Sequence, residues 1–293
     1  MLATIESFAI LGVEALRVFV EVDVGRGLPC LEVVGLPGAA VREAKDRVRT
    51  AVQNSGYAWP LGRITVNLAP AHLPKAGTHF DLPIALGILV ASNQAPPPQP
   101  GTAFVGELSL DGRVRPVRGA LCVGAAMAGG GLLTLPEENI PEVKAVPGLR
   151  YLGVRGLKDL VEKLRRGEGG ELSEGPAAAA RPSASAGAWA NVKGQQFAKR
   201  ALTIAAAGGH HTLLVGPPGA GKTMLARAMA DLLTPLTPDE VIEVSAVYSV
   251  AGLLSPERPL VVSRPFRAPH HTVTQAALLG GGSQVRPGEV SLA

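Results

Sequence analysis

Hydrophobic and polar positions alternate along three segments near the start of the chain, at 15–24, 30–35 and 63–70. Alternation with a period of two places successive side chains on opposite faces of a strand, so each segment is a predicted strand. The glycine-rich GRGLP at 25–29 is typical of a hairpin turn and predicts that the first two strands pair directly.

Helices are predicted where apolar residues recur three and four positions apart. This spacing covers 38–56, where Gly56 predicts the end of the helix, and a second helix is predicted at 81–93. Further along are a strand pair at 102–117 turning at Asp111-Gly112, a helix at 119–128, a strand at 132–136 and a helix at 157–166. The mixture predicts an α+β domain over 1–166.

The stretch 167–188 has no apolar periodicity and is rich in Gly, Ala, Ser and Pro. Such a composition buries too little apolar surface to order itself, so it predicts a flexible linker. The chain is therefore expected to divide into a domain at 1–166, the linker, and a second domain at 189–293.

Composition and the N-terminal sequence argue against a membrane-spanning or exported protein. Mean hydropathy is +0.23, yet no run of 18 apolar residues occurs and the N-terminus lacks a signal-peptide pattern. The two cysteines, Cys30 and Cys122, are far apart in apolar surroundings, which favours reduced thiols. We therefore expect a cytoplasmic protein with no membrane partner. A net charge of +4 and the lack of a basic tail give no sign of nucleic acid.

The string GPPGAGKT at 216–223 has the G-x-x-x-x-G-K-[ST] spacing of a phosphate-binding loop. HTLLVG at 211–216 predicts the buried strand that precedes such a loop, and 223–233 predicts the helix that follows. ATP and Mg²⁺ are the expected cofactors, with Lys222 and Thr223 as catalytic groups and Thr223 as metal ligand. The residues expected to contact nucleotide here are Gly216, Pro217, Pro218, Gly219, Ala220, Gly221, Lys222, Thr223 and Met224.

Two weaker clusters allow more than one interpretation. RPFRAPHH places Arg264 and Arg267 around Phe266 with no acid nearby in sequence, which suits either phosphate clamping with base stacking or a buried loop between subunits. His72, His79 and Asp81 are more typical of capping and hydrogen bonding than of a metal site, with Asp81 as the expected N-cap of the helix at 81–93. The charges on the helix at 38–56, Arg47 among them, are expected to face solvent.

Most of 1–166 resembles the N-terminal domain of the magnesium-chelatase-related ComM/YifB AAA+ proteins. The resemblance is carried by VVGLPGAAVREAKDRVRTAVQNSG, RITVNLAPAHLPKAGTHFDLPIALGIL and FVGELSLDGRVRPVRGAL. That family domain is similar in fold to the proteolytic domain of Lon. The expected fold class is therefore α/β, with a Lon-protease-like α+β domain followed by part of a P-loop AAA+ domain.

The Lon domain uses a serine in a K-D-G-P-S-A-G turn and a lysine in a G-G-x-K helix. The matching turn here is PKAGTHFD, with His79 or Phe80 at the serine position, and the matching helix start is RGALCV, with Leu121 at the lysine position. A Ser–Lys mechanism needs both partners. The resemblance thus implies a non-proteolytic domain for assembly or partner binding.

Beyond the linker, 189–236 resembles the opening of the AAA+ module in the same family, which implies adenine-pocket roles for Val192 and Gly194. The family pattern continues after G-E-[IV]-S-L-A into the Asp-Glu of Walker B, whereas this chain ends at Ala293. We therefore expect ATP binding without efficient hydrolysis. A fragment and a naturally shortened product remain open.

For the complete family member, the resemblance implies an ATP-driven hexameric ring helicase. Its expected partner is single-stranded or branched DNA, and its role is branch migration during natural transformation. A magnesium-chelatase-like motor subunit remodelling a protein partner is the first alternative, but such subunits carry no Lon-like domain in front. A Lon-like peptidase is the second, and the missing Ser–Lys pair argues against it.

Overall fold

The computed structural model describes residues 1–175, 187–282 and 286–293. The first of these segments folds around an eight-stranded sheet of order β10-β9-β8-β5-β1-β2-β4-β3, with β6 and β7 forming a separate hairpin. The strands are β1 (Leu2–Leu11), β2 (Glu14–Gly25), β3 (Cys30–Val34), β4 (Arg63–Ala69), β5 (Thr102–Phe104), β6 (Glu107–Leu108), β7 (Val114–Arg115), β8 (Leu132–Pro136), β9 (Arg150–Val154) and β10 (Glu171–Leu172).

Helices cover both faces of this sheet and enclose two apolar cores. They are α1 (Ala39–Asn54), α2 (Asp81–Ala91), α3 (Ala120–Met127), α4 (Ile140–Val143) and α5 (Leu157–Arg166). Helices α1, α2 and α5 pack with Ile5 and its neighbours in the first core. Helices α3 and α4 pack with Phe8 in the second core. Because Ile5 and Phe8 lie on opposite faces of β1, this strand contributes to both cores.

Strand pairing corrects one prediction from the sequence. The turn at 25–29 does not join a hairpin, because β4 lies between β2 and β3. β4 runs antiparallel to β2 and parallel to β3, with Val66 opposite Val22 on one side and Val33 on the other. Burial explains this arrangement, since β4 places Ile64, Val66 and Leu68 in the first core between its two neighbours.

Most predicted elements of 1–166 are confirmed, with bounds within a few residues. The strand at 132–136 and the helix at 157–166 match residue for residue. The predicted strand pair at 102–117 divides, since β5 joins the main sheet and only β6 and β7 form the hairpin around Asp111-Gly112. Strands β1 and β9 were not predicted; in β1, Ser7, Phe8 and Ala9 are buried in succession, which hides the alternation.

The remaining elements are α6 (Ala188–Asn191), α7 (Gln196–Gly208), α8 (Lys222–Met229), α9 (Pro238–Ala251), α10 (Gln275–Leu279), β11 (Gly280–Gly281) and β12 (Arg286–Pro287), with a 3-10 turn at 230–232 after α8. Among these elements, α7 and α8 contribute to a smaller apolar cluster of Val192, Leu202, Leu225 and Ala228. The mixture of strands and helices makes this an α/β protein.

The buried strand predicted at 211–216 is wrong for the described structure. These residues form no strand, and the side chains of Leu213 and Val215 are each 85% exposed. A strand needs a neighbour to accept its backbone hydrogen bonds, and β11 and β12 pair only with each other. The predicted helix after the loop is confirmed over Lys222–Met229.

The predicted linker is partly ordered. Strand β10 pairs with β9 at the edge of the main sheet, so the start of 167–188 belongs to the first domain. Its centre, 176–186, lies outside the described residues. In the described segments, no helix has the length and apolar character needed to cross a bilayer.

Candidate nucleotide-binding site

The loop at 216–221 leads directly into α8. Gly219 and Gly221 both have φ of +81°, and Gly221 precedes the first helical residue. A Cβ at Gly219 would meet no atom within 4 Å, so the backbone conformation rather than lack of space requires glycine there. The two glycines turn the chain abruptly into the helix.

Backbone N–H groups at this turn are available to a ligand. Within the described part of the chain, the amides of Gly219, Gly221 and Lys222 donate to no backbone carbonyl. The N-terminal end of α8 adds the partial positive charge of a helix terminus. Free amides and a helix dipole at one point suit the oxygens of a phosphate group.

Lys222 lies across the loop that precedes it. Its Nζ donates to the carbonyl oxygens of Gly216 and Pro217, each at 2.7 Å. Phosphate oxygens can replace these carbonyls as acceptors of a charge-assisted hydrogen bond. Thr223 is exposed in the first turn of α8, where its hydroxyl suits a Mg²⁺ ion held together with phosphate. The residues present therefore fit Mg·ATP.

The two predicted adenine-pocket residues differ in their surroundings. Val192 is 1% exposed and packs with Leu225 and Ala228 of α8, so the structure brings it to the phosphate-loop helix. The Lys199 ammonium donates to the Val192 carbonyl oxygen. Gly194 is exposed, with φ of +64°. An adenine role for either residue stays a prediction.

Arg264 and Phe266 line a cleft of about 680 Å³ together with Trp189 and Arg227. Arg264 Nε donates to the Thr234 carbonyl oxygen at 2.7 Å. The cleft thus brings together two aromatic and two arginine residues, with Asp231 also in its wall.

Carboxylates that are distant in sequence reach both predicted phosphate-clamping arginines. Arg264 Nη2 is 3.3 Å from Glu240 Oε1, and Arg267 forms a two-point pair with Glu289 at 2.6 and 2.7 Å. The Glu289 carboxylate raises the pKa of Arg267. The expectation of arginines without nearby acid is corrected, and a nucleic-acid role for Arg264, Phe266 and Arg267 stays a prediction.

The positions that match the Lon catalytic pair hold other chemistry. His79 is buried, and its Nε2 donates to the Phe8 carbonyl oxygen at 2.9 Å. Burial lowers the pKa of His79 to about 4, so its ring is neutral at pH 7. Leu121 is fully buried in the second core. Neither side chain supplies an activated hydroxyl or a lysine base.

Asp81 does not cap α2 as the sequence predicts. It is the first helical residue, and Phe80 occupies the N-cap position without a side-chain bond. Arg47 donates to both Asp81 carboxylate oxygens, at 2.9 and 3.0 Å, and the Leu108 N–H donates at 3.3 Å. Burial outweighs Arg47 and raises the pKa of Asp81 to about 6. The prediction that Arg47 faces solvent is therefore corrected. Its guanidinium group pairs with Asp81, because a buried carboxylate needs hydrogen-bond donors.

Two buried polar residues were not predicted from the sequence. Lys75 is fully buried and its Nζ donates to the Pro70 carbonyl oxygen. Glu142 is 7% exposed and hydrogen-bonds to Asn139 and Ser249. No spacing or composition marks either residue, because their partners are set by the tertiary fold.

Comparison with known families agrees with this geometry. Residues 188–293 match the family model described as "Magnesium chelatase, subunit ChlI", and residues 20–139 match "Subunit ChlI of Mg-chelatase". Two curated relatives are the YifB protein of Escherichia coli, 42% identical over 295 residues, and the competence protein ComM of Haemophilus influenzae, 43% identical over 302 residues. Both alignments cover 100% of this chain. The chain belongs to the magnesium-chelatase-related ComM/YifB family.

A further ComM/YifB relative aligns over nearly the whole of this chain. An uncharacterized protein of Mycobacterium tuberculosis is 46% identical over 291 residues, which is 98% of this chain. In each of these comparisons the chain spans 58% of the relative's length. The activity of a complete ComM/YifB protein is therefore proposed, not shown, for this chain.

The burial of His79 predicts a pH dependence of stability. In the unfolded state this histidine binds a proton near pH 6.5, whereas in the folded state it does so only near pH 4. The free energy of unfolding should therefore fall on acidification between these two values. This residue should contribute about 1 kcal/mol per pH unit to the slope. Urea unfolding at several pH values should show a shallower slope for His79→Gln, whose amide can still donate to Phe8.

The control is His72→Gln, since His72 is exposed in the same loop region. Its slope should equal that of the parent protein. Equal slopes for the parent and His79→Gln would show that His79 does not titrate as a buried neutral ring.

Proposed function

We propose that this chain binds ATP with Mg²⁺ through the loop at 216–223. The observation that carries the proposal is the combination of free backbone amides at Gly219, Gly221 and Lys222 with the Lys222 ammonium and the exposed Thr223 hydroxyl. The amides and Lys222 would hold the β- and γ-phosphates, and Thr223 would hold Mg²⁺. Val192 and Gly194 are proposed to contact adenine, and Met224 to continue the loop contact.

Binding is proposed to occur with little turnover. Efficient hydrolysis needs an acid that orders water and metal, and a cation that stabilises the developing charge. In the described segments, neither Lys222 nor Thr223 forms a hydrogen bond or ion pair with a carboxylate. Among the described residues, the groups proposed to hold phosphate therefore have no acid in contact with them.

For the complete ComM/YifB protein, we propose an ATP-driven hexameric ring helicase that promotes DNA branch migration in natural transformation. The name of a relative 43% identical to this chain, competence protein ComM, supports the proposed link to natural transformation. The proposed partner is single-stranded or branched DNA, and the proposed location is the cytoplasm. Arg264, Phe266 and Arg267 are the proposed contact region, and the first two line a cleft with Trp189 and Arg227.

A magnesium-chelatase-like motor subunit is the second candidate, because both matching family models carry the chelatase subunit's name. The proposed discriminator is the N-terminal domain, which the family resemblance implies to be Lon-like and not to be carried in front by chelatase motor subunits. A peptidase is disfavoured because His79 is a buried neutral ring and Leu121 a core residue.

Prediction for nucleotide binding. Isothermal titration calorimetry with Mg·ATP and Mg·ADP should detect binding by the parent chain, and a phosphate-release assay should show negligible turnover. Lys222→Ala should lose the binding, because it removes the side-chain cation that pairs with the phosphates. The matched control is Arg200→Ala, an exposed cation on α7, which should bind as the parent does. Rapid Lys222-dependent phosphate release would contradict the proposed lack of turnover.

Prediction for DNA binding. Because contacts would go to phosphates, affinity for labelled single-stranded or branched DNA should fall steeply as salt rises. The variant Arg264→Ala with Arg267→Ala should bind more weakly than the Arg200→Ala control, with circular dichroism verifying that each is folded. Salt-insensitive binding, or unchanged affinity in the folded double variant, would count against the DNA role.

A further inference from the structure

Helix α9 of the phosphate-loop half lies against the N-terminal domain at the start of α3. The Gly119 N–H donates to the Ser249 carbonyl oxygen at 3.1 Å, and the Cys122 thiol donates to the Ala246 carbonyl oxygen at 3.7 Å. The Ser249 hydroxyl donates to Glu142 Oε2 at 2.7 Å. Backbone and side chains of the two halves thus meet through specific polar contacts.

Glu142 is the central group of this contact. Its carboxylate accepts hydrogen bonds from Asn139 Nδ2 at 2.6 Å and from the Ser249 hydroxyl at 2.7 Å. Asn139 is held in turn by the Val117 backbone, through two hydrogen bonds of 2.9 Å. A buried carboxylate is costly unless donors surround it. Asn139 of the N-terminal domain and Ser249 of α9 each supply one donor, so Glu142 favours a hydroxyl at position 249.

The apolar fit around Glu142 is close. Ala246 of α9 and the following Leu260 pack against the second core. A Cβ at Gly119 would lie 2.6 Å from Ile10 Cδ1 and 3.4 Å from Val250 Cγ2, so a larger residue there would require the Ile10 side chain to shift. Val250 also lines a cavity of about 180 Å³ together with His79 and Gly77. The C-terminal end of α9 therefore lies beside the region of His79.

We propose that the groove formed by residues 117–122 and 139–142 is a receptor for α9, through which the N-terminal domain anchors the phosphate-loop half. The occupant is α9 of the same chain, because that helix is seated there with its polar and apolar contacts satisfied. The groove follows the general pattern of a helix bound in an apolar groove with one polar selector. This role is independent of nucleotide binding.

Cys122 provides a direct measurement of docking. It is buried beneath Ala246, and burial raises the pKa of its thiol to about 12, whereas Cys30 is exposed. In the Cys30→Ser protein, Cys122 is the single thiol of the chain. Its rate of reaction with a thiol reagent should be at least about a hundred-fold below that of Cys30 in the Cys122→Ser protein, since reaction requires the helix to leave the groove. The rate should not change with protein concentration.

Substitution of Ser249 on α9 tests whether Glu142 selects this helix. Ser249→Ala, in the Cys30→Ser background, leaves Glu142 short of one donor and should raise the Cys122 rate about ten-fold. The matched control is Ser245→Ala, which is also buried on α9 but accepts the Val261 N–H and does not reach Glu142. Its rate should stay within about two-fold of the parent. Addition of Glu142→Ala to Ser249→Ala should raise the rate by less than the product of the single effects, because the two groups act as a pair.

The fluorescence of Trp59, which packs on the first core, verifies that the N-terminal domain is folded in each variant. Rapid labelling of Cys122 in the Cys30→Ser protein would overturn the proposal without any α9 variant. Protection that depends on protein concentration would also overturn it, by assigning the helix to a second copy. Equal rates for the Ser249→Ala and Ser245→Ala proteins would show that Glu142 does not select the helix.

Discussion

The N-terminal domain depends on the backbone pairing of β1. This strand is antiparallel to β2 along ten residue pairs, from Leu2 opposite Asp23 to Leu11 opposite Glu14, and its other edge pairs with β5. Its side chains enter both cores, Ile5 on one face and Phe8 on the other. Because each backbone group in a sheet interior needs a partner, β1 fixes the order of the strands and the separation of the two helix layers. The Phe8 carbonyl oxygen then accepts the hydrogen bond that holds His79.

The need for paired backbone groups also explains why the N-terminal domain forms a large sheet while residues 211–216 form no strand. Residues 211–216 carry the apolar pattern of a strand, but among the described residues no strand pairs with them, and Leu213 and Val215 remain exposed. The phosphate loop nevertheless takes shape, because its glycine conformations and the start of α8 are local features. Packing of Val192 against α8 and docking of α9 on the N-terminal domain supply the non-local contacts.

Local signals therefore predicted most elements of the N-terminal domain and the helix that follows the glycine-rich loop, whereas long-range strand pairing could not be predicted from the sequence. Helix 157–166 was predictable because its apolar stripe is bounded by Gly156 and Gly167. The order β2-β4-β3 was not, since a glycine-rich turn suits a hairpin or a crossover equally. The Arg267–Glu289 and Glu142–Ser249 contacts join residues 22 and 107 positions apart, and no periodicity reports such separations.

Backbone amides of the loop at 216–221 are proposed to hold the nucleotide phosphates. Hydrogen exchange measured by mass spectrometry, with and without saturating Mg·ADP, tests this proposal at the level of those amides. Peptides covering 216–225 should exchange more slowly with nucleotide present, and peptides covering 264–272 should not change. Nucleotide binding that leaves exchange at 216–225 unaltered, or that protects another segment instead, would contradict the account.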